Sequence, residues 1–315
     1  AVFHTGAMFA AKIDFPVGDT PVSVAVADFD GDGKQDFAVS NFGAGTVSVR
    51  RNLTAAGANL TISSFAVNVN IAAGSTPINI AAGDLDGDGK PDLVVVNRNS
   101  NTISILRNTS VPGIISFASP IVAATGSFPY SAALGDLDMD GKPDIAVANN
   151  TASSISVIRN VSSPGSVSVE AKVDFAVAGG WRPLSVFIQD LDGDTKPDVV
   201  YSGGVLGVLR NTSTVGSITT GSFASGVNLA NVGDAGLTIA AGDIDGDGKS
   251  DIAVPLYRGG LGNSVLAVRN TSTLGSLSAG AAVEFAVGAA PYGVALSDFD
   301  LDGKLDLAVA NLDSN

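Results

Sequence analysis

The nine residues Asp84-Leu-Asp-Gly-Asp-Gly-Lys-Pro-Asp92 decide how the rest of this chain is read. Close copies stand at Asp28–Asp36, Asp136–Asp144, Asp190–Asp198, Asp243–Asp251 and Asp298–Asp306. Successive copies begin 56, 52, 54, 53 and 55 residues apart, so six units of about 53 residues account for nearly all 315. A fixed period of this size marks a repeat architecture, in which each unit is one supersecondary element that stacks on its neighbours.

Outward from each copy the pattern is constant. An apolar run precedes it, as in Ser23–Ala27 or Ile78–Ala82, and another follows, as in Phe37–Ser40 or Leu93–Val96. A third run alternates with period two: Thr46–Arg50, Thr102–Leu106, Ser154–Ile158. A fourth is expected around Phe65, Phe117, Phe175, Phe223 and Phe285. Alternation, β-branched residues and Gly, Asn, Ser and Pro between the runs read as strands, and no segment shows a capped helical period. The chain is therefore expected to be all-β. Four strands per unit fit the blades of a β-propeller of about six four-stranded blades, with part of a seven-bladed ring as the alternative. Residues 1–315 form one domain in this reading. The sixth unit stops at Asn311–Asn315, where its third strand should begin. Residues 1–15, with Phe9–Phe15 resembling a fourth strand, are expected to complete that last blade.

Within each nonapeptide, carboxylates at positions 1, 3, 5 and 9 converge on one point, with the position-7 backbone carbonyl beside them. A hard divalent cation takes such an oxygen cage, and calcium accepts an all-protein one more readily than magnesium does. The expected ligands are Asp28, Asp30, Asp32 and Asp36 with the carbonyl of Lys34, then Asp84, Asp86, Asp88 and Asp92 with Lys90. The third and fourth sets are Asp136, Asp138, Asp140 and Asp144 with Lys142, and Asp190, Asp192, Asp194 and Asp198 with Lys196. The last two are Asp243, Asp245, Asp247 and Asp251 with Lys249, and Asp298, Asp300, Asp302 and Asp306 with Lys304. The lysine side chains are expected to face solvent. Glycine at position 6 permits the bend; unit four carries Thr195 there, which predicts a strained loop. Position 12, where an EF-hand places a bidentate Glu, holds Val39, Val95, Val147, Tyr201, Val254 and Val309, inside the following strand.

Composition narrows the chemistry. The loops hold 24 of the 31 acidic residues, so six Ca²⁺ would bring the formal charge from −14 to about −2. The acidity belongs mostly to metal cages, and a chain so poor in Lys and Arg is not a nucleic-acid binder. Cysteine is absent, which excludes thiol catalysis, disulfides and Cys-ligated metals. The single histidine, His4, leaves no conventional Ser-His-Asp triad. The most apolar stretch, Ala279–Leu296, contains Glu284, Pro291 and three glycines, so no direct membrane insertion is expected. The chain opens on Ala1 without an initiator methionine and is expected to be a processed piece of a larger protein.

The unit Gly-x-x-Pro-x-x-(Ile/Val)-Ala-x-x-Asp-x-Asp-Gly-Asp-Gly-Lys-x-Asp, as in Gly74–Asp92, resembles the FG-GAP/VCBS repeats found in integrin α-subunit propellers and in secreted bacterial proteins. The resemblance covers essentially the whole chain. It implies calcium, an extracellular or surface location, and adhesion or ligand binding. The chain departs from integrins in showing six units, each with a loop, and in keeping the Phe-Gly/Gly-Ala-Pro signature poorly, so bacterial surface or secreted repeats are the expected relatives.

On this basis the chain is expected to be a non-catalytic, calcium-stabilised module that binds a glycan or an extracellular matrix or surface protein. A structural spacer is the alternative, and a polysaccharide-active enzyme the less favoured one. Trp181 and Arg182, in Gly179–Pro183, and Tyr130 and Tyr292, at equivalent positions of units three and six, are the candidate ligand-binding residues. Aromatic faces stack on sugars and arginine donates to their oxygens; the same side chains could equally pack loop on blade. Arg-Asn-x-Ser/Thr recurs at Asn52, Asn108, Asn160, Asn211 and Asn270. Its fixed phase after the third strand points to turn chemistry despite the formal glycosylation sequon.

Overall fold

The computed structural model describes residues 12–233, 235 and 238–314. It is all-β, with three one-turn 3-10 helices at Ile62–Ser64, Ala178–Gly180 and Arg258–Gly260. Blade 1 contains β1 (Pro21–Ala27), β2 (Asp36–Asn41), β3 (Thr46–Arg50) and β4 (Val69–Ala72). Blade 2 contains β5 (Pro77–Gly83), β6 (Asp92–Asn97), β7 (Thr102–Leu106) and β8 (Ile121–Ala124). Blade 3 follows with β9 (Pro129–Gly135), β10 (Asp144–Asn149), β11 (Ser154–Ile158) and β12 (Val173–Ala176). Blade 4 has β13 (Ser185–Gln189), β14 (Asp198–Ser202), β15 (Val205–Leu209) and β16 (Val227–Asn231). Blade 5 has β17 (Ala240–Gly242), β18 (Asp251–Leu256), β19 (Ser264–Asn270) and β20 (Ala279–Ala286). The sixth sheet has two strands among the described residues, β21 (Pro291–Ser297) and β22 (Asp306–Asn311).

Every sheet is an antiparallel meander in sequence order. The first strands touch from blade to blade, β1 with β5, β5 with β9, β9 with β13 and β17 with β21, which sets them innermost. The second strands β6, β10, β14 and β18 are buried along their whole length, which is why they read as continuous Val, Ile and Ala runs instead of alternating ones. The core lies between blades. Ile103 and Ile105 of blade 2 pack with Ile145 and Val147 of blade 3, and Ile155 and Val157 of blade 3 with Val199 and Tyr201 of blade 4.

The Gly-x-x-Pro signature has a local cause. A Cβ on Gly74 would sit 2.5 Å from Cγ of Asn97, and Gly18 and Gly126 stand in the same relation to Asn41 and Asn149. Those asparagines end the second strands fully buried and donate to Ser48, Ser104 and Ser156 of the third strands at 2.8–2.9 Å. Glycine is the residue that admits the buried amide.

Two expectations change. Phe175 and Phe285 lie in fourth strands, but Phe65, Phe117 and Phe223 precede theirs and sit at isolated bridges to Asn52, Asn108 and Asn211. The position paired with that asparagine is Val169 in blade 3 and Ala279 in blade 5, with Phe175 and Phe285 six residues further on, so the phenylalanines occupy two different places in the repeat. Of the segment expected to complete the last blade, residues 1–11 lie outside the described residues, and Lys12–Val17 carry no strand pairing.

Candidate functional site

Each Asp loop joins the end of a first strand to the start of a second, so the loops sit at one end of their blades. Position 1 organises the turn. In blade 1, Oδ1 of Asp28 accepts the N–H groups of Gly31 and Asp32, and Oδ2 accepts that of Gly33. Position 9 locks the loop to the sheet. Oδ2 of Asp36, Asp92, Asp144 and Asp198 accepts the position-2 N–H at 2.9–3.1 Å. Their Oδ1 atoms accept the N–H of Asn52, Asn108, Asn160 and Asn211 at 2.7–2.9 Å. These four carboxylates are fully buried. Burial outweighs the two backbone donors and raises Asp92 to about 6 and Asp144 and Asp198 to about 7.

The loops bring carboxylates together as expected. Asp28, Asp30 and Asp32 offer ligand atoms within 4.8 Å of one another, as do Asp84, Asp86 and Asp92; Asp136, Asp138 and Asp144; Asp190, Asp192 and Asp194; and Asp243, Asp245 and Asp251. Asp86 adds a sharper sign. It is 3 % exposed and its Oδ2 is buried without a hydrogen-bond partner among the described residues. Its carboxyl is shifted upward, first by burial and then by Asp88. An orphaned acceptor among like charges fits a cation ligand.

Sequence reasoning missed the partner of these loops. In four of the five Arg-Asn pairs the Arg folds back over its own blade's loop. Arg159 Nε donates to Asp138 and its Nη2 to Asp140 at 2.8 Å. Arg210 does the same with Asp192 and Asp194, and Arg269 with Asp245 and Asp247. Arg51 lies 3.8 Å from Asp30. The recurrence of an Arg-Asn pair at the end of every third strand was the available signal. The adjoining Asn accepts the N–H two residues on through Oδ1, at Thr54, Ser110, Ser162, Ser213 and Ser272, which is the turn chemistry expected. Its Nδ2 also reaches the preceding blade: Asn108 donates to Phe29 O, Asn160 to Leu85 O, Asn211 to Leu137 O and Asn270 to Leu191 O, at 2.8–2.9 Å. These four side chains are buried and tie blade to blade, which leaves them inaccessible to a glycosyltransferase. Lysine corrects another expectation, since Lys196 and Lys249 donate to Ser213 O and Ser272 O at 2.7 and 2.8 Å.

The candidate ligand residues gather at the opposite end, where first strands begin and second strands finish. Trp181 and Arg182 line a cavity of about 470 Å³ with Asn150, Leu184 and Gly204. The indole lies against Gly204, where a Cβ would stand 2.0 Å from Cε3, yet 46 % of Trp181 stays exposed. Tyr130 packs on Phe128, and Tyr292 edge-on to Tyr257 with ring centres 5.5 Å apart. Tyr292 keeps 36 % of its surface in solvent, but its hydroxyl is pushed upward by burial and then by Tyr130 and Tyr257. Outside the loops, Asp174 and Glu284 accept from Ser156 and Ser264 across their sheets, a structural engagement.

A family model described as an FG-GAP-like repeat matches residues 84–147, 138–201 and 190–254, and an FG-GAP repeat model matches residues 20–49. No curated protein matches the sequence significantly. Among solved structures, the chain is similar to a lectin from Agrocybe aegerita described by its recognition of non-reducing terminal N-acetylglucosamine. The TM-score is 0.53 and the identity 22 %, over 92 % of this chain and 71 % of the lectin. It is also similar to the biofilm matrix protein Bap1 of V. cholerae, with TM-score 0.51 and 17 % identity over 89 % of this chain and 42 % of that one. A chain of the Chaetomium thermophilum polycomb repressive complex 2 gives TM-score 0.56 and 13 % identity, over 91 % of this chain and 63 % of that one. Likenesses this remote speak for the fold alone. The repeat models are specific where the structures are not, and with its loops and blades in the same register as three overlapping matches, the chain belongs to the FG-GAP-like repeat family.

Proposed function

We propose that this chain is a calcium-stabilised, extracellular ligand-binding propeller with glycans as its ligand class. The observation that carries the metal is the orphaned Asp86 Oδ2 in a loop whose carboxylates already converge. The position-1, 3, 5 and 9 aspartates of each loop would hold the ion, together with the position-7 carbonyl. The ion supplies positive charge to a cage of like charges and fastens the two ends of the loop. Arginine donors occupy only part of each carboxylate, and each oxygen keeps a second lone pair.

The binding half of the reading rests on the end opposite the loops. Trp181 offers a half-exposed indole face over a cavity that also holds Arg182 and Asn150, an arrangement suited to the apolar face and the hydroxyls of a sugar. The lectin on the same fold supports the reading only in that the architecture accommodates a sugar site. No helix among the described residues is long and apolar enough to cross a membrane.

The test is a glycan and matrix-protein array probed with the chain in Ca²⁺ and again in EDTA. Binding to defined glycans that falls at least tenfold with Trp181→Ala is expected. A folded, calcium-loaded protein that binds nothing would return the chain to the spacer reading, with the indole merely packing on Gly204.

A further inference from the structure

The end that carries Trp181 is built the same way in most blades. The residue after a second strand donates its N–H to the carbonyl of the residue before the proline that opens the first strand. Phe42 pairs with Thr20, Arg98 with Thr76, Asn150 with Phe128 and Leu312 with Ala290, at 2.9–3.1 Å. The acceptor residues all have φ between +52° and +59°. Thr and Ala fill three of these positions, and blade 3 places a phenylalanine there. Its ring is used. Phe128 lies under the Arg98 guanidinium, 4.8 Å from ring centre to Cζ, while Phe42 from blade 1 and Tyr130 from blade 3 stand at 4.9 and 5.6 Å.

Arg98 is thus a cation held by three rings from two neighbouring blades. Nη1 reaches the Tyr130 hydroxyl at 3.5 Å. Among the described residues no carboxylate pairs with Arg98, whereas Arg51, Arg159, Arg210 and Arg269 all meet their loops. Its Nε–H is buried with no acceptor among the described residues. A guanidinium fixed in place, walled by aromatic faces and short of an acceptor is prepared for a planar anion that brings its own stacking surface.

We propose that Arg98, with Phe42, Phe128 and Tyr130, is a binding site for the carboxylate of an acidic sugar, so that this face selects uronate-containing glycans over neutral ones. The proposal rests on the glycan reading above. The carboxylate accepts from Nη2, which has no hydrogen-bond partner among the described residues, and the apolar face of the sugar ring rests against the rings beside it.

The experiment is calorimetric titration of the calcium-loaded chain of residues 1–315 with trigalacturonate and, separately, with galactotriose. The acidic trisaccharide is expected to bind at least tenfold more tightly than the neutral one. Arg98→Gln should abolish that preference without lowering the melting temperature in calcium by more than a few degrees. Should Arg98→Gln unfold, Arg98→Lys serves: Lys retains charge but not the fork and is expected to lose most of the preference. Equal binding of the two trisaccharides by the wild type, or an unchanged preference in Arg98→Gln, overturns the proposal. Uronate binding that vanishes in EDTA yet survives Arg98→Gln would place the carboxylate on loop calcium and also overturn it. Neutral-glycan binding lost in Trp181→Ala, with no uronate preference in the wild type, would leave the broader reading standing and sink this one. A C-terminal carboxylate peptide that competes better than trigalacturonate would likewise reject the sugar in favour of a protein ligand.

Discussion

At the level of single residues, the chain is most readable where it breaks its own repeat. Thr195 stands in place of glycine at position 6 of the fourth loop, and the structure holds it at φ +72°. Its N–H still donates to Asp190 Oδ2 at 2.8 Å, so the loop keeps its geometry at the cost of left-handed strain. Position 4 makes the same demand, glycine in four loops but Met139 at +59° and Leu301 at +61° in the others. That second demand escaped the sequence reading because position 6 had already been assigned the bend. Left-handed backbone costs a non-glycine residue about 1–2 kcal/mol, and glycine returns part of this through the entropy of the unfolded chain. Thr195→Gly is therefore expected to raise stability by about 0.5–1 kcal/mol, read as a higher urea midpoint with an unchanged slope. A lower midpoint would mean that the threonine side chain contributes to the loop.

Elements were legible in proportion to how far their burial was symmetric. The third strands β3, β7 and β11 fall on the alternating runs residue for residue, and the buried second strands on the apolar ones. The Arg-Asn turn was legible as a turn but not as a clamp, because a sequence shows the asparagine's neighbours in the chain and not the carbonyl of the preceding blade. The loop aspartates carry a consequence for pH. Buried Asp92, Asp144 and Asp198 titrate near 6 to 7, above their ordinary value of 3.8. The metal-free folded chain thus binds more protons than the unfolded chain between about pH 4 and 7, and stability from these groups falls as pH rises through that window. Calcium requires the ionised carboxylates, so its stabilisation grows over the same window. Melting curves at pH 5 and pH 8 are expected to show a lower Tm at pH 8 in EDTA and a large calcium-induced rise there that shrinks at pH 5. A calcium response equal at both values would place the ion away from these carboxylates, and no response at either would reject calcium in the loops.

For the whole molecule, the question left by the repeat count is what meets the open sides of blades 1 and 6. Val22, Val24 and Val26 of β1 are 45–60 % exposed, as are Phe285 and Phe299 near the other end of the chain at 51 % and 45 %. In blades 1 to 5 the second strand pairs with a third strand; among the described residues β22 pairs only with β21. Phe15 is informative here. Its ring meets Phe65 at 5.0 Å and 74°, nearly the geometry in which Phe175 of the fourth strand of blade 3 meets Phe223 of blade 4 at 4.8 Å and 73°. Relative to blade 1, Phe15 stands where the last strand of a preceding blade would bring its phenylalanine. We propose from this that the segment carrying Phe15 belongs to the blade before the first, which in a closed six-bladed ring is the sixth. A chain starting at residue 16 is then expected to lose amide-exchange protection selectively at Asp306–Asn311 and to melt several degrees lower, with β6 and β10 still protected. Loss at Pro21–Ala27 with β22 unchanged would instead assign the N-terminal segment to blade 1 alone, and the partner of β22 would have to come from a seventh blade.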